Sequence, residues 1–181
     1  GDNGPHPSDN IGGVLAAVFI SINWFVYVWA VNAGFIVETS LGYFITPLVN
    51  VLLGMVFLRE RLTRLQTVSV LLAAAGTLYL AISFGAIPWI SLVVAFSFGV
   101  YGFLRKTVRV ASIEGLLIET SLLFPLALGF LLLLAVRGTG AFGTAGARID
   151  VLLLLAGAVT SLPLIWFASG ARRLPYSVLG L

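Results

Sequence analysis

Hydrophobic residues run along this chain in long unbroken stretches, separated by short polar or charged interruptions. Six stretches approach the ~20 residues that a helix needs to cross ~30 Å of hydrocarbon: residues 11–31, 39–58, 65–83, 88–104, 113–136 and 151–170. A seventh begins at Pro175 and is incomplete, covering 175–181. Runs such as 131–134 and 151–155 are apolar at every position, unlike the alternating strands of a membrane barrel. The pattern predicts an all-α integral membrane protein, a helical bundle of six complete transmembrane helices plus the start of another. The links at 32–38, 85–87 and 171–174 are short, so successive helices are expected to run antiparallel. The link at 138–150 is rich in Gly, Ala and Thr and reads as a flexible loop. Residues 1–10 are polar, contain proline and lack the basic start of a signal peptide. They read as a cytoplasmic connector ahead of one membrane domain, 11–181. The chain opens at Gly1 without a methionine and stops inside an apolar run, so it reads as a piece of something longer.

Composition sharpens this. The 181 residues are 60% hydrophobic and 9% charged, with mean hydropathy +1.10, whereas soluble domains carry about 25% charged residues. A single soluble core of this length cannot hide so much apolar surface. Ten Lys and Arg against seven Asp and Glu leave a net charge of +3, too small an excess to suggest a nucleic-acid partner. The absence of cysteine removes disulfides, thiolate metal sites and thiol nucleophiles. The single histidine, His6, sits in the polar N-terminal segment. No metal, cofactor or enzymatic activity is expected, and neither a GxSxG nor an HExxH pattern is present.

The positions of the charges matter more than their sum. Arg59, Arg61 and Arg64, then Arg105, Lys106 and Arg109, then Arg172 and Arg173 fall on alternate links. The intervening links carry only Arg137 and Arg148. Retained basic residues mark the cytoplasmic side, so those eight are topology-setting and the first span runs outward. Trp29 and Trp89 then lie at the outer interface, where indole rings prefer to sit. Shifting the sequence by 138 residues aligns Ala30 with Ala168, Ala33 with Ala171, Thr39 with Ser177 and residues 41–42 with 179–180. The two copies begin with spans of opposite direction, which is the mark of an inverted repeat.

Polar groups inside a bilayer are costly, so each has either a structural or a transport reading. In the first span Asn23 and Tyr27 share one helical face, with Trp24 and Trp29 close by and Asn32 beside Trp29. In the second, Ser40, Tyr43, Pro47, Asn50 and Gly54 recur at spacings of three and four. Pro47 frees a backbone carbonyl. The stripe is either a packing kink with hydrogen-bond glue or a broken helix lining a substrate cavity shared with the first span. Ser91, Ala95 and Gly99 form a small-residue ridge suited to close helix packing. Arg105 reads as a charge snorkelling to the inner interface, and Glu60 as a paired, solvated acid in the basic inner link. Glu119 lies about two turns into its span, where burial disfavours the ionised form. It is either a hydrogen-bonded structural group or the proton-coupling residue.

The segment ETSLGYFITPLVNVLLGMVFLRERLTR at 38–64 resembles the drug/metabolite transporter superfamily, its EamA branch and, within that, RarD-type permeases. NWFVYVWAVN at 23–32, AFSFGVYGFLRK at 95–106 and GLLIETSLLFP at 115–125 extend the resemblance over essentially the whole chain. It implies ten helices built as two inverted five-helix repeats, of which this chain holds helices three to eight and the start of nine. The expected function is a secondary transporter, a permease or exporter of small metabolites or drug-like molecules across the bacterial inner membrane. No GxxxxGK[ST] phosphate loop is present for ATP coupling. The alternative is a membrane scaffold or subunit without its own pathway, with an intramembrane enzyme further off. The expected partners are the lipid bilayer, a small-molecule substrate and a coupling proton, and a homodimer is left open.

Overall fold

A computed structural model describes residues 7–83, 85, 88–108 and 111–180, with side chains from residue 11 onward. The chain folds as α1 (Pro7–Asn32), α2 (Ile36–Phe57), α3 (Arg64–Ser83), α4 (Trp89–Thr107), α5 (Ser112–Val136), α6 (Ala147–Arg173) and α7 (Tyr176–Leu179). Helices α1 to α6 are each long and apolar enough to cross a membrane, and no strand occurs among the described residues. This is a multi-pass, all-α membrane protein. The six long helices lie along the six apolar stretches of the sequence, with different ends. Helix α1 starts at Pro7, within the stretch read as a connector; proline's fixed φ suits a first helical turn. Helix α6 starts at Ala147 rather than Val151, which places Asp150 in its first turn, where the helix dipole favours an acid.

Two glycines end helices by the same device. Gly34 at φ +89° follows α1, with the Phe35 amide donating to Ala30 O and the Gly34 amide to Val31 O. Gly138 at φ +66° follows α5, with Thr139 donating to Leu134 O and Gly138 to Ala135 O. Both are Schellman closures, which require the left-handed conformation that glycine adopts without penalty.

Helix α4 is the centre of the bundle. Half of its span is buried, the largest share among the six, and it packs on α1, α2 and α6. The small ridge Ser91–Ala95–Gly99 makes this possible. Ser91 Oγ donates to Glu38 O of α2 at 2.6 Å, and a Cβ on Gly99 would stand 2.6 Å from Val49 Cγ1. Contacts also fix helix directions. Ala30 packs with Ile90 and Val94, and Ala16 with Tyr101, so α1 runs antiparallel to α4. Gly42 meets Ser91 while Phe57 meets Phe103, so α2 runs parallel to α4. Phe98 meets Phe167 and Lys106 reaches Ala171 O, so α6 runs parallel to α4 as well. Even-numbered spans thus share a direction, as alternating crossings require. By contrast, α3 packs on α2 and buries no residue.

Candidate functional site

The C-terminal ends of α2, α4 and α6 gather on one side of the bundle because those helices run parallel. Arg59, Arg61, Arg64, Arg172 and Arg173 lie exposed there, and Lys106 is half-buried. Arg109 lies outside the described residues. Arg105 departs from the expectation of a snorkelling charge. It is only 4% exposed and turns between α4 and α5 instead of out to water. Its Nη2 donates to Ser112 O at 2.6 Å, and its Nε stands 3.6 Å from Glu119 Oε1. Glu119 is 3% exposed, and its Oε2 accepts a long 3.4 Å hydrogen bond from Tyr101 Oη. Gly115 makes the approach possible. A Cβ there would come within 1.5 Å of Arg105 Nη1, so the guanidinium lies in a notch that only glycine leaves open.

A second polar junction holds α7 against α2 and α4. Arg59 takes the left-handed conformation at φ +53°, and the Glu60 amide turns back to Gly54 O at 3.1 Å. The Glu60 carboxylate then accepts the Tyr176 amide at 2.8 Å and the Ser177 amide at 2.7 Å. Lys106 Nζ donates to Ala171 O at 3.0 Å and to Leu174 O, satisfying carbonyls at the end of α6. The Tyr176 side chain is fully buried. Its hydroxyl lies 2.6 Å from Gly99 O and 2.9 Å from Asn50 Oδ1. One hydroxyl proton cannot serve both acceptors, so a turned Asn50 amide donating to Tyr176 Oη satisfies the trio. Glu60, part-exposed and close to the basic Lys106, is therefore also a cap on α7.

Partial burial pushes the Glu60 carboxyl up, but the Ser177 and Tyr176 amides and the Lys106 charge outweigh it and hold it below its usual 4.5. A group lowered in the folded state contributes stability above its unfolded value, and that contribution disappears as pH falls through the lowered value. Melting in detergent should show this loss below pH 4.5. Glu60→Gln should melt lower at neutral pH and lose that part of the acid dependence; an unchanged acid profile would remove the capping role.

The residues of the two stripes meet different partners, because α4 packs against both α1 and α2. Asn23 Nδ2 donates to Val94 O at 2.8 Å and Ser97 Oγ at 3.0 Å, binding α1 to α4. Asn50 belongs to the Tyr176 junction, and Pro47 O lies close to Gly180 beside it. Tyr43 is instead 60% exposed. It meets Tyr27 edge-on at 5.9 Å, and Tyr27 meets Trp24 at 6.2 Å, which makes an outward aromatic ledge. Trp29 stacks on Phe35 and lies tilted against Trp89, while Asn32 and Ser40 bond within their own helices to Val28 O and Ile36 O. Expected pathway residues thus divide into packing groups and an exposed ledge.

A cleft of about 710 Å³ opens between the start of α5 and the end of α6. Ser112, Glu114, Ser169, Arg172 and Arg173 supply its polar lining, with Ile113 and Ile165 between them.

Comparison with known proteins finds bacterial relatives, some of them named as transporters. The chain is 50% identical over 177 residues to the transporter YojE of Bacillus subtilis, covering 94% of this chain and 58% of that protein. It is 47% identical to Protein RarD of Streptomyces exfoliatus, covering 92% and 53%. The chain is thus similar to RarD proteins along most of its own length. Protein RarD of Escherichia coli is 45% identical, covering 92% of this chain and 56% of its own length. The chain spans about half the length of the curated relatives it matches. No family model matches it, and no solved structure does. Sequence reasoning missed Tyr176, Gly115 and the capping role of Glu60. Gly115 falls one helical turn before Glu119 on the same face, the one local signal that something large packs there.

Proposed function

We propose that this chain is part of a secondary transporter of small metabolites or drug-like molecules in the bacterial inner membrane, built as inverted repeats. The observation that carries the proposal is the Arg105–Glu119 pair, ionisable groups buried inside an apolar membrane bundle. Such groups are expensive within a bilayer and mark ion or substrate pathways. Relatives named transporters support the same reading. Glu119 is the proton carrier in this scheme. Trp24, Tyr27 and Tyr43 form the pathway wall, while Asn23 and Asn50 hold the helices that carry it.

Counterflow of a metabolite panel in proteoliposomes of the full-length protein tests transport itself; a scaffold without a pathway moves nothing. Glu119→Gln keeps the shape but fixes the neutral form. It should abolish proton-driven net transport while leaving exchange largely intact, and normal transport with unchanged pH dependence overturns the coupling role. Topology has its own check. Cysteines placed at Thr63 and Thr107 should be labelled from the cytoplasm, and one at Thr139 from outside. Labelling of Thr107 and Thr139 from the same face contradicts the charge-derived orientation.

A further inference from the structure

The Arg105–Glu119 pair leaves one donor and one acceptor unused. Arg105 Nε and Glu119 Oε1 are buried without a hydrogen-bond partner although they stand 3.6 Å apart. A guanidinium stays charged at any accessible pH, so in this apolar setting Arg105 needs a negative partner at all times. Glu119 supplies one only while ionised. Once protonated, it leaves an uncompensated charge that a second anion can neutralise. Ser112, whose carbonyl accepts from Arg105, also lines the cleft between α5 and α6. Arg105 is thus one hydrogen bond behind the cleft wall, and Arg173 stands on that wall.

We infer that the cleft admits a small soluble organic anion, a carboxylate or a phosphate ester, which pairs with Arg105 as Glu119 takes up one proton. The inference rests on the transporter reading and adds the substrate class to it. Charge balances: the guanidinium and carboxylate become a guanidinium, a bound anion and a neutral carboxylic acid. Anion and proton therefore move together with no net charge. From α4, Glu119 faces Arg105 and Tyr101. Helix α1 offers the uncharged Gly13, Ala16 and Ile20. Helix α6 brings Arg172 and Arg173 at the cleft, and α5 its own Glu114. Among the described residues the charge nearest to Glu119 is therefore Arg105.

Linkage makes each ligand strengthen the other's binding by the same factor. The test is calorimetric titration of the full-length protein, in phosphatidylcholine nanodiscs, with benzoate as the probe anion. Affinity should rise about tenfold per unit fall in pH while Glu119 is ionised, with one proton taken up per benzoate bound. Glu119→Gln should bind benzoate at the acid-limit affinity at every pH, without proton uptake. Arg105→Gln should abolish binding, and Arg105→Lys should restore it. Benzamide, the neutral analogue, should not bind. Binding without pH dependence in the unmodified protein, or none in Glu119→Gln, overturns the inference. So does displacement of benzoate by added phosphatidylglycerol, which assigns the cleft to a lipid headgroup. Counterflow that persists beside pH-independent benzoate binding refutes the linkage alone; linked binding without any counterflow refutes the transporter reading alone.

Discussion

Arg105→Met should destabilise the bundle by about 3–5 kcal/mol, the cost of leaving one member of a buried ion pair without its partner. Glu119, 3% exposed beside Arg105, would keep Tyr101 as its hydrogen-bond partner among the described residues, at 3.4 Å. The double variant Arg105→Met, Glu119→Leu should recover most of the loss, because the desolvation cost of both charges disappears together. Gly115→Ala should approach the single variant from the opposite helix, since its methyl would occupy the place of Arg105 Nη1. The measurement is thermal or denaturant unfolding in detergent, arranged as a double-variant cycle. A loss in the double variant equal to the sum of the losses in Arg105→Met and Glu119→Leu would mean that Arg105 and Glu119 do not act as a pair.

Tyr176→Ala should have the next largest effect, about 3–5 kcal/mol, as for other large-to-small changes of a fully buried ring. The ring is 0% exposed, and it packs edge-on to Phe103 with its hydroxyl against Gly99 O and Asn50. Tyr176→Phe keeps the packing and removes only the hydroxyl, so it should cost about 1–3 kcal/mol through the unsatisfied Gly99 carbonyl. Gly102→Ala should act on the same ring, because its Cβ would stand 2.5 Å from Tyr176 Oη and 2.8 Å from Phe167 Cζ. Protease sensitivity of the α6–α7 junction reads the effect locally. Cleavage there should rise in the order Tyr176→Phe, then Tyr176→Ala; no change in either would show that α7 is held by Glu60 alone.

Both effects depend on side chains meeting across helices, and that is where the sequence stops being informative. The membrane class, the six spans and the all-helical architecture were legible from hydropathy alone, because the bilayer forces backbone polar groups to pair within each segment. Arginine and lysine positions likewise gave an alternation that fits the shared direction of α2, α4 and α6. These are properties of consecutive residues and of their solvent. Asn23 and Asn50 were recognisable as polar groups needing partners, but their periodicity pointed to a cavity between α1 and α2. Tertiary packing gave each its own partner: the small ridge Ser91–Ala95–Gly99 let α4 pack closely, Val94 and Ser97 accepted from Asn23, and Tyr176 paired with Asn50. Helical spacing shows which residues share a face but not which neighbour that face will meet. The same reason hid the Arg105–Glu119 pair. An arginine at a helix end and a glutamate inside the next helix each had a reasonable separate role, and only the Gly115 notch brought the two charges together.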